Sequence, residues 1–390
     1  MKKKIVFLFM FSIITLFCIL LLVFIKPHKK IINFQNNLFV SFKKISSITS
    51  GSYKLMDEKK LSNNIVNLIY YNEETDDYIT YFIDYESGKL VDFEANLKKD
   101  TYNQFKDVEL NLLKLKYPKF IIDGIINSDV VRYYKINDNS IVIYYKNVIT
   151  VPNYNQNIRL IINNNEVKDF LNYNYNLDEN YENENGYTYD PNFKYVSFTF
   201  DDGPSKKNTV DIVNYLNDNK AHATFFMLGN LMVNNQEIVN YVLQNNSEIG
   251  SHTYSHKNLK RISKNDISNE IETTQSIFKS ITNQELELLR PPYGSINDSI
   301  KSDYDYSYIL WNLDTNDWRY KDTDYIVSYI LNNVKDGDII LMHDIHDTTK
   351  AAVEKVLPEL YVRGYKVVSV SELAQIKGKV LEKHKSYRSL

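Results

Sequence analysis

Hydrophobic and polar residues follow different patterns in the two halves of the chain, and the change falls near residue 190. In the C-terminal half, short apolar runs alternate with longer segments in which apolar residues recur at helical spacing. The apolar runs are YVSFTF, ATFFMLG, SEIGSH, SYILWNL, GDIILMH and YKVVSV. The helical segments are NTVDIVNYLNDNK, NDISNEIETTQSIFKSI, DTDYIVSYILNNV and TKAAVEKVLPELYVRG. Strands that alternate with helices predict βα units around a parallel sheet, and the number of repeats fits a barrel or partial barrel.

Residues 31–180 have a pattern typical of a small α+β region. NIVNLIYY, DYITYFIDYE and KLVDFEANL are rich in strand-forming residues, and two alternating runs around residues 137–139 predict a hairpin. The segment TYNQFKDVELNLLKLKYPKF has helical spacing until Pro118 ends it. No histidine lies between His28 and His222, and no glycine-rich phosphate loop occurs in this region. We therefore expect a spacer or an accessory binding module without chemistry of its own.

The first residues predict a membrane anchor. An uncharged, mostly apolar run extends from Ile5 to Ile25 between lysines, which is long enough to cross a bilayer. A cleaved signal peptide has a shorter apolar core and a small-residue cleavage site, and no such site follows here. A buried core helix is also disfavoured, because no charged residue interrupts the run. Since lysines flank both ends, the positive-inside rule does not decide the orientation.

These patterns divide the chain into five segments. They are a cytoplasmic tip and transmembrane anchor (1–30), the α+β accessory region (31–180), a polar linker rich in Asn, Glu and Tyr (181–190), a catalytic domain (191–376) and a C-terminal tail (377–390).

Composition narrows the class of protein. The 390 residues carry a net charge of −3 with an isoelectric point near 6.2, which argues against nucleic-acid binding. The single cysteine, Cys18, lies in the predicted anchor. A disulfide-stapled fold and a cysteine metal site are therefore excluded.

Charged and imidazole side chains stand at the ends of the predicted strands. Asp201 and Asp202 follow SFTF, His252 follows EIGS, Asp314 follows LWNL and His343 follows IILM. Because reactive residues of a βα barrel collect at the carboxyl ends of its strands, we expect these side chains to share one rim.

The residue types on this rim indicate a catalytic metal site. His252 and His256 are four residues apart, a spacing that places two imidazoles on one face of a helical turn. Two histidines with one carboxylate leave coordination positions open for water and substrate. The second carboxylate of the Asp201–Asp202 pair then remains free as a base, and His343 suits the role of an acid because imidazole titrates near neutral pH.

Five segments in this order, TFDDGP, SHTYSH, RPPYG, DTNDW and LMH, resemble the motifs of the NodB-type polysaccharide deacetylases, carbohydrate esterase family 4. The resemblance covers roughly residues 190–376, about half of the chain. It implies a distorted (β/α) barrel and metal-dependent removal of N-acetyl groups from polymers that contain N-acetylglucosamine.

The resemblance also implies roles for residues at the motif positions. Asp202, His252 and His256 would hold one divalent cation, with zinc expected first and cobalt or another divalent ion as the alternative. Asp201 would be the general base, and Arg290 would orient it.

The other motifs would contribute to binding and proton transfer. The backbone N–H of Tyr293 would help to hold the oxyanion, while Trp318 and Leu341 would wall the sugar groove. Asp317 would tune His343, the general acid.

Two further residues are alternatives for roles assigned above, and a third is expected to have no catalytic role. Asp314 is the alternative to Asp317 as the partner of His343. His346 is the alternative acid, and His222 is expected to be structural.

Anchor, accessory region and deacetylase domain together resemble the cell-wall deacetylases of Gram-positive bacteria. The resemblance implies N-deacetylation of peptidoglycan N-acetylglucosamine outside the membrane, which makes the glycan a poorer lysozyme substrate. The alternatives are deacetylation of muramic acid in spore cortex, action on an exopolysaccharide or chitin oligomers, and a non-catalytic glycan-binding protein of the envelope.

Overall fold

The computed structural model describes residues 53–61, 64–74, 77–127, 130–151, 154–175 and 192–390, together with residues 37, 40, 41, 44 and 45. Within these ranges, no helix is long and apolar enough to cross a membrane. The predicted anchor and the predicted linker at residues 181–190 lie outside the described residues. The described residues separate into two compact units, one formed by those within 1–116, 125–148 and 155–184, the other by those within 117–124, 149–154 and 185–390.

The N-terminal region combines strands in two sheets with helices, as predicted for an α+β region. Its strands are β1 (Lys54–Lys60), β2 (Ile65–Asn72), β3 (Asp77–Asp84), β4 (Leu90–Val91), β5 (Val131–Ile136), β6 (Ser140–Val151) and β7 (Tyr154–Asn163). Its helices are α1 (Tyr102–Lys116), α2 (Lys119–Asn127) and α3 (Asn164–Val167), with a 3-10 turn at Phe93–Asn96. The sheet orders are β1-β2-β3-β4 and β5-β6-β7.

Local sequence explains part of this region. The predicted hairpin joins β5 to β6 in antiparallel register. Helix α1 ends at Lys116, two residues before Pro118, since the residue before a proline is disfavoured in helical backbone. The pattern missed β1, α2, β7 and α3. The core of this unit includes the ring of Phe93, which stacks on Tyr134 with centroids 3.9 Å apart and contacts Phe105 at 5.1 Å.

The C-terminal unit alternates strands and helices as predicted. Its strands are β8 (Lys194–Gly203), β9 (Thr224–Met227), β10 (Glu248–Ser251), β11 (Leu288–Leu289), β12 (Ser307–Ile309), β13 (Leu313–Asp314), β14 (Ile339–His343), β15 (Tyr365–Val368) and β16 (Ser386–Tyr387). Its helices are α4 (Thr209–Asp218), α5 (Gly229–Met232), α6 (Gln236–Gln244), α7 (Lys264–Thr282), α8 (Asp298–Asp303), α9 (Asp317–Tyr320), α10 (Thr323–Asn333), α11 (Asp347–Val362) and α12 (Val370–Ile376), with 3-10 turns at Leu259–Arg261 and Pro292–Gly294.

These strands form the distorted (β/α) barrel that the sequence predicts. The order is β13-β14-β8-β9-β10-β11-β12-β16, with β15 also paired to β8, and the pairings are parallel. Strand β16 comes from the tail at residues 377–390, which was expected to lie outside the domain. The tail also makes a bridge from Ser389 to Asp338, just before β14. It therefore connects β12 with the start of β14, the strand next to the other end of the sheet.

Alternation along β8 separates two hydrophobic layers. Val196, Phe198 and Phe200 belong to the large cluster between the sheet and the helices, whereas Tyr195 belongs to the cluster on the opposite face. Phe200 stacks on Phe225 with ring centroids 5.0 Å apart. Burying each such ring stabilises the fold by about 1.5–3 kcal/mol. This packing holds β8 rigidly, and β8 carries the two carboxylates of the rim.

Candidate active site

The carboxyl ends of β8 and β14 lie side by side. Their parallel register places His343 opposite Asp201. Residues of β10 and β11 continue the same edge, since β9 pairs with both β8 and β10. The expectation that the strand ends share one rim is therefore confirmed.

A β-bulge explains how two adjacent carboxylates both reach this rim. Successive residues of a regular strand point to opposite faces of the sheet. The β8–β9 register shifts between Asp201 and Gly203, and Asp202 has a left-handed φ of 71°. A bulge of this kind redirects the side chain of the extra residue. Asp202 Oδ1 consequently lies 3.5 Å from His252 Nε2 and 3.4 Å from His256 Nε2.

Asp202, His252 and His256 form a group that fits a divalent cation. One ligand atom from each lies within 4.8 Å of the other two. Asp202 Oδ1 is buried and has no hydrogen-bond partner among the described residues, as expected for an atom that faces a cation. His252 Nδ1 lies 2.7 Å from the carbonyl oxygen of Arg290, which assigns the proton to Nδ1 and leaves Nε2 free to bind. Burial lowers the pKa of His252, so the neutral, ligating form is favoured.

The two histidines do not lie on a helical turn, so that part of the prediction is wrong. Residues 252–256 form an irregular loop after β10, in which Thr253 and His256 have left-handed φ values of 66° and 61°. The rings converge because the loop folds back, with centroids 5.0 Å apart. A four-residue spacing can thus be produced by a strained loop as well as by a helix.

Asp201 is held by a buried guanidinium group. Arg290 Nη1 donates to Asp201 Oδ1 at 2.8 Å and also to Thr199 Oγ1, and its other nitrogens donate to the carbonyl oxygens of Ile309 and Leu310. Arg290 has no solvent exposure. The fixed guanidinium orients the carboxylate through a charge-assisted hydrogen bond.

His343 is paired with Asp317, which answers the alternative left open between Asp314 and Asp317. His343 Nδ1 lies 2.8 Å from Asp317 Oδ1, and the backbone N–H of His343 donates to Asp317 Oδ2 at 2.7 Å. Asp314 Oδ1 instead accepts from the backbone N–H of Asn316. Burial alone lowers the pKa of His343, but the hydrogen bond and charge of Asp317 outweigh it and raise the pKa to about 9.

The other two histidines of interest are in different surroundings. His346 lies with its ring centroid 6.2 Å from that of His343, and burial lowers its pKa. His222 Nδ1 lies 2.7 Å from Glu372 Oε1, a contact between two elements of the barrel.

Aromatic residues line the open side of the group. Tyr293 is 66% exposed, and its ring makes an edge contact with His256 at 4.7 Å. Trp318 is 49% exposed. Leu341, in contrast, is only 4% exposed, so it forms buried floor two residues before His343 and offers little surface as a groove wall.

Two buried carboxylates near the site were also missed. Asp344 is fully buried, accepts a hydrogen bond from the Thr209 hydroxyl, and lies against Gly203, where an added Cβ would be 2.6 Å from Asp344 Oδ2. Burial raises the pKa of Asp344 to about 7. Glu270 on α7 accepts hydrogen bonds from Ser255, between the two histidines. Neither side chain could be distinguished from a solvent-exposed acid by the sequence pattern.

Comparisons with known proteins agree with the motifs. The family model described as polysaccharide deacetylase matches residues 188–308. A peptidoglycan-N-acetylglucosamine deacetylase of Bacillus cereus is 38% identical over 194 residues, which cover 48% of this chain and 91% of the relative. The peptidoglycan-N-acetylmuramic acid deacetylase PdaC of Bacillus subtilis is 38% identical over 190 residues, 49% of this chain and 41% of the relative. The peptidoglycan-N-acetylglucosamine deacetylase PgdA of Listeria monocytogenes is 35% identical over 180 residues, 46% of this chain and 39% of the relative.

The chain therefore spans about two fifths of the length of the last two relatives. Among solved structures, peptidoglycan deacetylase PdaC from Bacillus subtilis is 38% identical, with 48% of this chain and 94% of that chain covered and a TM-score of 0.47.

Proposed function

This chain belongs to the polysaccharide deacetylase family, and from that premise we propose that it hydrolyses the N-acetyl groups of N-acetylglucosamine residues in peptidoglycan, with a bound divalent metal ion. The observation that carries the proposal is the convergence of three components on one rim: the group Asp202, His252 and His256, the Arg290-held Asp201, and the Asp317-held His343. A glycan-binding protein would need none of these charged groups together.

The metal would be held by Asp202, His252 and His256, and zinc is proposed, with cobalt as the alternative. A divalent cation in this position would polarise the acetamide carbonyl and increase the acidity of the attacking water. The buried, unpartnered Asp202 Oδ1 and the free Nε2 of His252 support this assignment.

Asp201 is proposed as the general base. Its carboxylate accepts a hydrogen bond from Arg290 and lies 3.7 Å from His252 Nε2, next to the ligand group. As the oxygen of water adds to the carbonyl carbon, Asp201 would accept one of the protons of that water. The backbone N–H of Tyr293 is proposed to stabilise the negative charge that develops on the carbonyl oxygen.

His343 is proposed as the general acid. With a pKa raised to about 9, its imidazole is protonated at neutral pH. Since Asp317 holds Nδ1, the proton of Nε2 is the one available to the amide nitrogen as the C–N bond breaks. The products are acetate and a free amino group on the sugar. Asp201 then releases the proton that it took from water, and His343 takes up a proton in place of the one that it donated, so both groups return to their starting forms.

The substrate and location are proposed from the relatives and the rim. Relatives named for peptidoglycan N-acetylglucosamine support that sugar, and the exposed rings of Tyr293 and Trp318 offer faces on which a sugar could lie. We further propose that residues 5–25 anchor the chain in a Gram-positive cell membrane with the barrel outside, and that deacetylation confers lysozyme resistance. Muramic acid is the second candidate, because a relative of similar identity is named for it.

The test uses the full chain, solubilised in detergent and incubated with purified Gram-positive peptidoglycan. Muramidase fragments are then analysed by mass spectrometry, with chelator and with zinc added back. Acetyl loss on N-acetylglucosamine that needs zinc is the expected result, and loss on muramic acid would support the second candidate. Activity on chitin oligomers alone would indicate another polymer. Glycan binding without acetate release, unchanged in Asp201→Asn, would contradict the proposed enzyme activity.

A further inference from the structure

Glu270 is a buried carboxylate that lies beside the metal-ligand group without belonging to it. It is on α7 and is only 2% exposed. Its Oε2 accepts from the backbone N–H of Ser255 at 2.7 Å, and its Oε1 accepts from the Ser255 hydroxyl. Lys257 Nζ lies 3.5 Å from Oε1. A buried carboxylate is costly unless it is hydrogen-bonded, so this group is committed to the loop between the two histidines.

The loop that Glu270 contacts is strained. Thr253 and His256 both have left-handed φ values, although neither is glycine, and Thr253 is β-branched. Such conformations persist only where the surrounding structure holds them, and they concentrate at functional sites. Contacts with the surrounding structure must therefore hold this loop in the conformation that brings Asp202, His252 and His256 together.

Different parts of the loop are held by different partners. The backbone N–H of His252 donates to the Met227 carbonyl at 2.9 Å, and the N–H of Gly229 donates to the Thr253 carbonyl at 3.0 Å. The first half of the loop is thus bonded to the segment after β9. Ser255, directly before His256, is bonded by Glu270.

We propose that Glu270 is a positioning residue that sets the metal affinity of the site. Through Ser255 it holds His256 so that its Nε2 lies 3.4 Å from Asp202 Oδ1, beside the Nε2 of His252. This inference rests on the metal-dependent function proposed above. Outer partners of this kind typically change metal affinity by about 10-fold to 100-fold when they are mutated.

The chain offers a matched control on the same helix. Glu272 is two residues away on α7 and is exposed. Glu270→Gln and Glu272→Gln therefore remove the same charge from the same helix, but only the first presents an amide NH₂ group to the donors of Ser255. Ser255→Ala removes the hydroxyl bond and keeps the backbone bond, so it is expected to have a smaller effect than Glu270→Gln.

The experiment measures binding of Zn²⁺ and Co²⁺ to the metal-free full chain by calorimetry, and records the visible spectrum of the Co²⁺ form. We expect Glu270→Gln to weaken binding by about 10-fold to 100-fold and to change the Co²⁺ spectrum. Glu272→Gln should match the unaltered chain. Saturating metal should restore most of the kcat of Glu270→Gln, since the variant keeps the base and the acid.

Two results would overturn the proposal. One is unaltered metal affinity in Glu270→Gln together with a lower melting temperature, which would make Glu270 merely structural. The second result is needed if Glu270→Gln fails to fold. In that case, an unaltered metal affinity in Ser255→Ala would reject the proposal. Failure of the proposed function is a separate outcome, because it would appear as metal binding that His256→Ala does not weaken, or as tight binding without deacetylation of any glycan.

Discussion

Replacing Asp317 by asparagine tests whether the structure assigns the general acid correctly. The change keeps the size of the side chain and removes the charge that His343 contacts at 2.8 Å. Burial lowers the pKa of His343, and only the weaker effects of the Asp201 and Asp202 charges would still raise it, so the pKa should fall from about 9 toward the ordinary value of 6.5. The asparagine would also place its NH₂ group either against His343 Nδ1 or against two donors, the backbone N–H of His343 and the Thr349 hydroxyl, both of which now donate to Asp317 Oδ2.

The size of the expected effect follows from the pKa of His343 with and without the charge of Asp317. The difference between 6.5 and about 9, at 1.36 kcal/mol per pKa unit, is about 3 kcal/mol of preference for the protonated ring. At pH 8 the protonated fraction of His343 should fall by about 30-fold in the variant. Because the folded-state pKa is raised, the same interaction stabilises the fold below pH 6.5, and this stability is lost as the pH rises through about 9.

The assay is the pH dependence of kcat/KM for acetate release, measured with saturating metal. The basic limb of the unaltered chain should lie near pH 9, and that of Asp317→Asn should move toward pH 6.5, with activity recovering in acid. Asp314→Asn is the matched control and should leave the limb unmoved, since Asp314 bonds Asn316 instead. A basic limb that stays near pH 9 in Asp317→Asn, or one that moves in Asp314→Asn, would refute the assignment of the general acid.

Three further predictions concern the base and the backbone. Asp201→Asn should abolish acetate release while metal affinity, measured by calorimetry, stays within a few-fold, and a large loss of affinity would indicate that Asp201 is itself a ligand. Gly203→Ala should lower the free energy of unfolding by about 1–3 kcal/mol, because its Cβ would meet Asp344 Oδ2 at 2.6 Å. The double variant with Asp344→Ala should recover part of this loss in thermal melting, and strictly additive losses would contradict the clash. Gly337→Ala should detach the C-terminal segment, because its Cβ would lie 2.0 Å from the Leu390 oxygen at a φ of 87°. Faster amide exchange at residues 386–390 would be the signature, and unchanged exchange would argue against it.

The sequence predicted the barrel and the rim because both depend on short-range patterns. Alternating strands and helices give parallel strands, and parallel strands bring their carboxyl ends to one edge. Asp201, His252 and His343 could therefore be placed together without coordinates. The role of Arg290 came from the motif resemblance, and the structure adds that its guanidinium is buried against the rings of Phe226 and Trp311.

Features that depend on backbone torsions or on burial could not be predicted. Glu270 and Glu272 are both acids on α7, and only packing makes one of them 2% exposed and the other solvated. The spacing of His252 and His256 favoured a helix because helical spacing is the commoner cause, whereas a loop with two left-handed residues produces the same convergence. Strand β16 is only two residues long and pairs through its backbone, so it leaves no hydrophobic pattern.

The bulge at Asp202 also explains how neighbouring carboxylates acquire different roles. Without it, Asp202 would point to the helix-covered face of β8, where Phe198 and Phe200 are buried. With it, Asp201 faces a guanidinium at 2.8 Å while Asp202 faces two imidazoles. A fixed positive charge already satisfies Asp201, whereas the Oδ1 atom of Asp202 has no such partner among the described residues. A cation is therefore drawn to Asp202, and Asp201 remains free to accept a proton.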